Sequence, residues 1–220
     1  MSSAPPIVFL GPSLAVADAR RILDADYRPP VKRGDLPQEC DGTVVIIDGE
    51  FGQNLSVSPH EILRLLDQGT TVIGASSMGA LRAAELHPFG MQGHGWIFQQ
   101  YLSGRIIADD EVALQYSPLD LRPVTVPLVN VRYWLEQLEA AGHVERRIAG
   151  RLFAAARRVF FADRTERRLR LELEKAVGQA ESERLYGIFP GGITDIKAAD
   201  ARGILMQLAN GVPAGWDFLH

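Results

Sequence analysis

The segment Gly74-Ala75-Ser76-Ser77-Met78-Gly79 places two hydroxyl groups at the predicted junction of a strand and a helix. A hydroxyl there lies near free backbone N–H groups and the positive end of a helix dipole, so it can hold an anion or an oxyanion. The segment is also similar to the turn that presents a serine nucleophile, although its second glycine stands one position later than in G-x-S-x-G. Three interpretations of Ser76 and Ser77 stay open: helix capping with close helix packing, anion binding and covalent catalysis.

A serine nucleophile needs a base, and the base needs a group that orients it. Among the five histidines, His60 is the candidate base because it opens the helix that leads toward the serine segment. It can equally be an exposed residue of a first helical turn. Asp48 directly follows a strand, where a carboxylate is costly unless it binds something, so we predict a functional Asp48.

Two further loops are expected beside the serine segment, because ligands bind beyond the carboxyl ends of parallel strands. These loops are Gly11-Pro12-Ser13 and Asp48-Gly49-Glu50-Phe51. The candidates for an oxyanion or ligand site at this edge are Met78, Gly79, Gly49, Ser13 and Arg82, with Glu50 and Glu85 as further candidates.

Asp109, Asp110 and Glu111 place three carboxylates in a row. Adjacent carboxylates repel one another, so an ordered triplet needs a helix N-terminus, a cation or a basic partner. Magnesium has no other ligands in view. The chain also lacks a P-loop, a G-x-G-x-x-G after its first strand, a paired H-x-x-x-H and a C-x-x-C, so we expect neither a metal nor a cofactor.

Short apolar runs alternate with helical segments through the first half of the chain. Residues 7–10, 43–47 and 71–74 are predicted strands, and the uninterrupted run of strand-favouring residues at 43–47 is typical of a parallel strand covered on both faces. Ser58-Pro59-His60-Glu61 predicts a capping box that begins a helix ending near Asp67. A weaker period predicts a helix over residues 14–25. This order of elements favours a right-handed parallel sheet.

From about Pro127 onward, apolar residues recur at helical spacing. The fold class is therefore α/β, with a parallel-sheet N-terminal core that has helices on both faces, followed by a mainly α-helical C-terminal part. We predict a core domain over residues 1–120 and a helical region over residues 121–220 packed on it.

The composition describes an acidic globular chain. It has 220 residues, of which 46% are hydrophobic, and a net charge of −4, so neither nucleic-acid nor membrane binding is indicated. No apolar run approaches the roughly 20 residues that span a bilayer, and the first residues lack the basic stretch of a secretory signal, so we expect a cytoplasmic protein. Residues 146–170 are a local exception, rich in arginine and without lysine. They form either a solvated or neutralised face or a docking site for an acidic partner.

Six segments, in order, resemble the TfuA-like proteins over about residues 7–132. They are Asp48-Gly49-x-Phe51, Val57-x-x-His60-Glu61-Ile62-Leu63, the serine segment continued to Leu86, Gly104-x-Ile106, Asp109-Asp110-Glu111-Val112-Ala113 and Val129-Asn130-x-Arg132.

The resemblance implies a role beside a YcaO-type protein, which uses ATP to activate a backbone amide while sulfur replaces its oxygen. The expected partners are that YcaO protein, a precursor peptide and a sulfur-carrier protein, and the oligomeric state stays open. In one hypothesis the chain is a serine hydrolase: Ser76 or Ser77, with His60, attacks a carrier thiocarboxylate while the Met78 and Gly79 N–H groups hold the oxyanion.

In the other hypothesis the chain is a non-catalytic docking or allosteric subunit, which uses the arginine-rich face and the region from Gly90 to Gly95. A third reading, a small-molecule hydrolase, requires that no partner binds.

Overall fold

A computed structural model describes residues 4–51, 56–189 and 191–211. Its centre is a five-stranded parallel sheet with the strand order β2-β1-β3-β4-β5. The strands are β1 (Ile7–Phe9), β2 (Asp26–Arg28), β3 (Thr43–Ile46), β4 (Thr71–Ala75) and β5 (Gln92–His94). The predicted α/β fold class is confirmed.

Helices follow the strands and then continue alone. They are α1 (Val16–Ala19), α2 (Pro59–Asp67), α3 (Met78–Leu86), α4 (Gly95–Leu102), α5 (Leu128–Ala140), α6 (Arg146–Arg157), α7 (Glu166–Val177), α8 (Gln179–Tyr186) and α9 (Ile196–Ala209). Short 3-10 turns cover His87–Phe89, Asp109–Glu111 and Phe161–Asp163. No described helix has both the length and the apolarity that a membrane-spanning segment needs.

The register of the central strands brings three loops to one edge of the sheet. Ile46 of β3 is paired with Phe9 of β1 on one side and with Gly74 of β4 on the other. All three strands run in the same direction, so the residues that follow them emerge side by side. The loops that begin after β1, β3 and β4 therefore meet there.

The middle strand is buried on both faces, as its continuous apolar run predicts. Val44, Val45 and Ile46 of β3 have no exposed surface. On one face, Val45 belongs to a core cluster that also contains Ile204 of α9. Helix α9 thus covers one face of the sheet.

Local sequence signals set where the helices of this layer begin and end. The predicted capping box of α2 is confirmed, because the Ser58 hydroxyl accepts from the Glu61 N–H and the Glu61 carboxylate accepts from the Ser58 N–H. Helix α1 is shorter than the predicted span of residues 14–25. The Tyr27 hydroxyl lies 3.0 Å from the carbonyl oxygens of Ala19 and Leu23, where the chain turns toward β2.

The chain divides into two compact units. The first contains residues 1–107 and 197–220, and the second contains residues 108–196. The second unit is built from α5 to α8 around a core that includes Trp134, Leu152 and Leu169. The domain boundary drawn from the sequence at residue 120 stays a prediction.

Candidate functional site

The Asp48 carboxylate organises the edge where the three loops meet. It lies just beyond β3, is 2% exposed, and accepts hydrogen bonds from the Gly11 and Ser13 N–H groups at 2.9 and 3.0 Å. Its other oxygen accepts the Ser13 hydroxyl at 2.7 Å. The carboxylate therefore holds the loop after β1 in place, and in doing so it gives the Ser13 oxygen a free acceptor position.

Lys197 brings a cation to this carboxylate. Its side chain is 2% exposed, and its Nζ lies 4.0 Å from Oδ1 of Asp48. An ammonium group is costly to bury without an opposite charge, so the lysine and the aspartate stabilise each other inside the protein. Lys197 is not among the site residues predicted from the sequence. The available signal is that the chain has three lysines and twenty arginines, so a lysine in the apolar stretch from Ile196 to Ala199 is unusual.

Ser76 occupies a strained turn between β4 and α3. Its φ is 65°, and the Ser77 N–H donates to the Ala75 carbonyl oxygen at 2.8 Å, which closes a three-residue turn around Ser76. A non-glycine residue in this region costs about 1–3 kcal/mol, and such strain clusters at functional sites. The strand-turn-helix arrangement is that of the serine turn to which the sequence was compared.

The Ser76 hydroxyl joins Ser13, Asp48 and Lys197 in one buried group. Its Oγ lies 3.0 Å from Oγ of Ser13 and 2.9 Å from the carbonyl oxygen of Lys197. A hydroxyl has one proton, so Ser76 donates to one of these oxygens at a time. Because Ser13 donates to Asp48, a chain of hydrogen bonds runs from Ser76 through Ser13 to the carboxylate. Ser76 has no exposed surface, so Lys197 and its surroundings close the group to solvent.

Two glycines allow helix α3 to lie against the sheet at this turn. A Cβ on Gly79 would lie 1.7 Å from the carbonyl oxygen of Ile46, and a Cβ on Gly74 would lie 2.0 Å from the carbonyl oxygen of Gly79. No side chain fits at either position without moving the backbone. The shift of the second glycine relative to G-x-S-x-G is therefore compatible with a tight strand-turn-helix in this chain.

Two of the backbone donors beside Ser76, those of Ser77 and Gly79, are engaged within the protein. The N–H groups of Ser77 and Gly79 both donate to the Ile47 carbonyl oxygen at 3.3 Å. Ser77 is 2% exposed, and its side chain makes no capping hydrogen bond. Gly49 lies under Met78, because a Cβ on Gly49 would be 2.8 Å from Cγ of Met78. In this closed arrangement the Gly79 N–H does not point at a free oxyanion position.

His60 is not brought to the serines. It is exposed in the first turn of α2 and forms no hydrogen bond or ion pair with the residues that the structure describes. Its location is that of a solvent-facing residue of a first helical turn.

The other candidates on the same edge hold the fold together. Arg82 donates to the Val57 carbonyl oxygen at 3.1 Å and pairs with Glu85 one turn later on α3. Glu50 is half-buried in the loop after β3, and its N–H donates to the Val31 carbonyl oxygen at 3.0 Å.

The acidic triplet has a basic partner within its own unit. Glu111 is 5% exposed and accepts two hydrogen bonds from the Arg132 guanidinium, at 2.7 and 2.8 Å. Asp109 and Asp110 are exposed on the same 3-10 turn. Among the described residues, no group of three or more His, Cys, Asp or Glu side chains could hold a metal ion.

Asp200 fixes the helix that carries Lys197. Its carboxylate accepts hydrogen bonds from the Trp96 and Ile97 N–H groups at the start of α4, at 2.9 and 2.8 Å. Burial raises the pKa of Asp200 to about 6, although these two hydrogen bonds favour its charged form. Gly95 is required beside it, because its φ is 93° and a Cβ there would lie 2.3 Å from the Asp200 carboxyl carbon. Helix α9 is thus anchored one turn after Lys197.

Comparison with known proteins identifies the family. The family model for TfuA-like proteins matches residues 48–165, just over half of the 220-residue chain. A comparison with curated proteins gave no match. The matched span begins at Asp48 and contains the serine segment, the acidic triplet and Arg132, which are the segments that carry the resemblance in the sequence. The chain belongs to the TfuA-like family.

Proposed function

We propose that this chain releases sulfur for backbone thioamidation by hydrolysing the thiocarboxylate of a carrier protein, with Ser76 as nucleophile. Membership of the TfuA-like family supports a role in the YcaO-associated thioamidation system. The observation that carries the finer proposal is the Ser76 turn, with its φ of 65° and its hydrogen-bonded contact with Ser13. The Ser76 hydroxyl is linked through Ser13 to the buried Asp48 carboxylate, which in turn lies beside the buried Lys197 ammonium, and such a strained, connected serine supports an activated nucleophile.

The proposed reaction uses Lys197 where sequence reasoning placed His60. The Lys197 ammonium gives a proton to the thiocarboxylate sulfur, and the resulting amine accepts the proton of Ser76 as its oxygen attacks the carbonyl carbon. The carbon–sulfur bond breaks, hydrosulfide leaves, and an ester to Ser76 remains. Water then hydrolyses this ester, which yields the carrier carboxylate, a proton and free Ser76. The net reaction converts a thiocarboxylate and water into a carboxylate, hydrosulfide and a proton.

Asp48 has a positioning part in this scheme. Its carboxylate lies 4.0 Å from the Lys197 ammonium, so it stabilises the charged lysine before the first proton transfer and after the second. It also orients the Ser13 hydroxyl at 2.7 Å, which leaves the Ser13 oxygen to accept from Ser76.

Substrate access requires that the first turn of α9 moves. Ser76 is fully buried, and the Lys197 carbonyl oxygen lies 2.9 Å from its hydroxyl. We propose that the YcaO protein or the carrier displaces this turn on binding, which restricts sulfur release to the assembled complex. Such gating would keep free hydrosulfide from being lost to solvent.

The burial of Ser76 also favours a second candidate function, the non-catalytic docking or allosteric subunit. In that function the Ser76 turn is a structural joint between β4, the loop after β1 and α9. The partners would then bind elsewhere, and sulfur would come to the YcaO protein directly from its carrier.

Reconstitution with the YcaO protein, precursor peptide, ATP and a thiocarboxylated carrier tests the proposal. The masses of carrier and peptide are followed for the wild type and for Ser76→Ala, Lys197→Met and His60→Ala. Ser77→Ala is the matched control, since Ser77 is a neighbouring buried serine without the strained φ.

The proposal expects Ser76→Ala to lose carrier hydrolysis by about 1,000-fold or more while it still binds the YcaO protein. Lys197→Met should show a comparable loss, whereas His60→Ala should not. If the Ser76→Ala variant supports full thioamidation, the hydrolase proposal is wrong and the docking function takes its place. If only His60→Ala loses carrier hydrolysis, His60 is the base.

A further inference from the structure

Helix α6 presents an exposed arginine face without any acidic residue. The helix reads Arg-Arg-Ile-Ala-Gly-Arg-Leu-Phe-Ala-Ala-Ala-Arg from Arg146 to Arg157, and Arg158 follows as its C-cap. Leu152 and Ala156 are buried on its other side. We define the α6 face by its exposed residues, which share one side of the helix and are Arg146, Arg147, Gly150, Arg151, Ala154, Arg157 and Arg158.

The charges of the α6 face are mostly uncompensated. Arg146, Arg147 and Arg157 form no hydrogen bond, ion pair or ring contact with the residues that the structure describes. Arg151 donates to the Ala176 carbonyl oxygen, which is uncharged. Elsewhere in this unit several exposed arginines are paired at helical spacing, such as Arg170 with Glu166 and Arg184 with Glu181.

Two nearby glutamates have partners of their own, although Glu172 also interacts electrostatically with Arg158. Glu172 pairs with Arg168 and Lys175, at 3.1 and 2.9 Å. Glu183 accepts a hydrogen bond from Gln179 of the same helix at 2.9 Å. Neutralisation by these glutamates does not extend to Arg146, Arg147 and Arg157, whose charge is available to a partner.

Gly150 in the middle of α6 has no explanation within the chain. A Cβ on it would meet no atom within 4 Å, and its backbone is helical. Glycine weakens a helix interior, and two arginines in a first helical turn oppose the helix dipole. Two features of this face thus lower the stability of α6. Gly150 and Ala154 are small and exposed. They therefore allow the backbone of another molecule to come close to the helix, between the guanidinium groups on either side.

We propose that the α6 face binds an acidic peptide segment, laid along the helix with its backbone over Gly150 and Ala154. The helix has 12 residues and is about 18 Å long, which matches about five or six residues of extended peptide. Glutamate or aspartate side chains on both sides of that peptide would reach Arg146 and Arg157 on one side and Arg147 and Arg158 on the other.

The face fits a peptide better than a nucleic acid. The whole chain carries a net charge of −4, which repels a long polyanion, and its positive charge is confined here to a single helix. A short acidic segment can form ion pairs with these arginines while its charges stay away from the acidic remainder of the chain. This inference is independent of the proposed hydrolysis, since it concerns only α6.

Fluorescence anisotropy of a labelled peptide tests the proposal with the full chain. The probe is an all-glutamate peptide of about six residues, matched to the length of the helix and carrying carboxylates on both sides of its extended backbone. Its glutamine analogue and a labelled oligothymidine of similar length are compared. The variants are Arg147→Glu and Gly150→Leu. Lys32→Glu is the charge-matched control, because Lys32 is exposed in the other unit. Thermal unfolding of each variant is recorded in parallel.

Selective binding of the glutamate peptide, weakened about tenfold by Arg147→Glu and by salt, is the expected result. Gly150→Leu should also weaken it by obstructing close approach, while neither variant lowers the melting temperature. The Lys32→Glu control should bind as the wild type does. Equal weakening by Arg147→Glu and Lys32→Glu, equal binding of the glutamine analogue, or absence of peptide binding would overturn the proposal. Binding of the oligothymidine alone would replace the peptide with a nucleic acid.

Discussion

Replacing Ser76 by glycine should give a more stable protein than replacing it by alanine, which reverses the usual order of these two residues. Both changes remove the same hydroxyl and its hydrogen bonds, so their difference reports on the backbone and on the one buried methyl group that glycine lacks. Ser76 has a φ of 65°, where a side chain costs about 1–2 kcal/mol and glycine costs nothing. Glycine also has greater freedom in the unfolded chain, which lowers the stability of the glycine variant by about 0.4–1 kcal/mol. The glycine variant should therefore remain more stable than the alanine variant by about 1 kcal/mol.

Urea and thermal unfolding of Ser76→Ala and Ser76→Gly measure this difference. For a chain of this size, about 1 kcal/mol corresponds to a melting temperature about 2–4 °C higher for the glycine variant. The control is Ser182, a buried serine inside α8, where alanine should be more stable than glycine by about 1 kcal/mol. Equal stabilities at position 76, or an advantage for alanine, would refute the strained turn and the functional reasoning built on it.

Three further predictions concern the surroundings of the site and the second unit. Gly79→Ala should cost at least about 3 kcal/mol in urea unfolding, because its Cβ would lie 1.7 Å from a backbone oxygen, whereas Gly150→Ala in open space should gain about 1 kcal/mol. Burial raises the pKa of Asp200 from 3.8 to about 6, so its contribution to stability is complete below pH 3.8 and falls by about 3 kcal/mol as the pH rises through 6. The free energy of unfolding should therefore fall as the pH rises across this range, and Asp200→Asn should remove this dependence. An unchanged dependence in the variant would show that Asp200 is not its cause. Glu111→Ala should cost about 3 kcal/mol by leaving the Arg132 guanidinium unpaired, and a cost below about 1 kcal/mol would mean that water replaces the carboxylate.

The sequence predicted the parts of the fold that depend on neighbouring residues. The continuous apolar run of β3, the capping box at Ser58 and the helical stripes of the second unit each act within a few residues, so their patterns are visible in the chain. The short α1 was not predicted. It ends where the Tyr27 hydroxyl reaches the carbonyl oxygens of Ala19 and Leu23, and a contact from the following strand leaves no mark in the apolar period.

The same distinction applies to the site. Asp48, Ser13 and Ser76 could be placed at one edge because parallel strands deliver their carboxyl ends together. Lys197 could not, because it is separated from Ser76 by 121 positions and reaches the site only through the packing of α9. His60 was the predicted base because it is close in sequence to the serine segment. In the structure it lies in the first turn of α2 and is exposed.

The buried lysine changes how the serine can be controlled. Ser76 is strained by its backbone and covered by the Lys197 carbonyl oxygen, while the Lys197 ammonium lies 4.0 Å from Asp48. In the proposed hydrolysis, withdrawal of the first turn of α9 would therefore uncover Ser76 and move Lys197, its proposed proton carrier, at the same time. Asp200 opposes that withdrawal through two hydrogen bonds to α4. Under the proposed function, a partner that binds α9 or the start of α4 would act on access and on protonation together, which gives a physical reason why the proposed sulfur release would depend on the assembled complex.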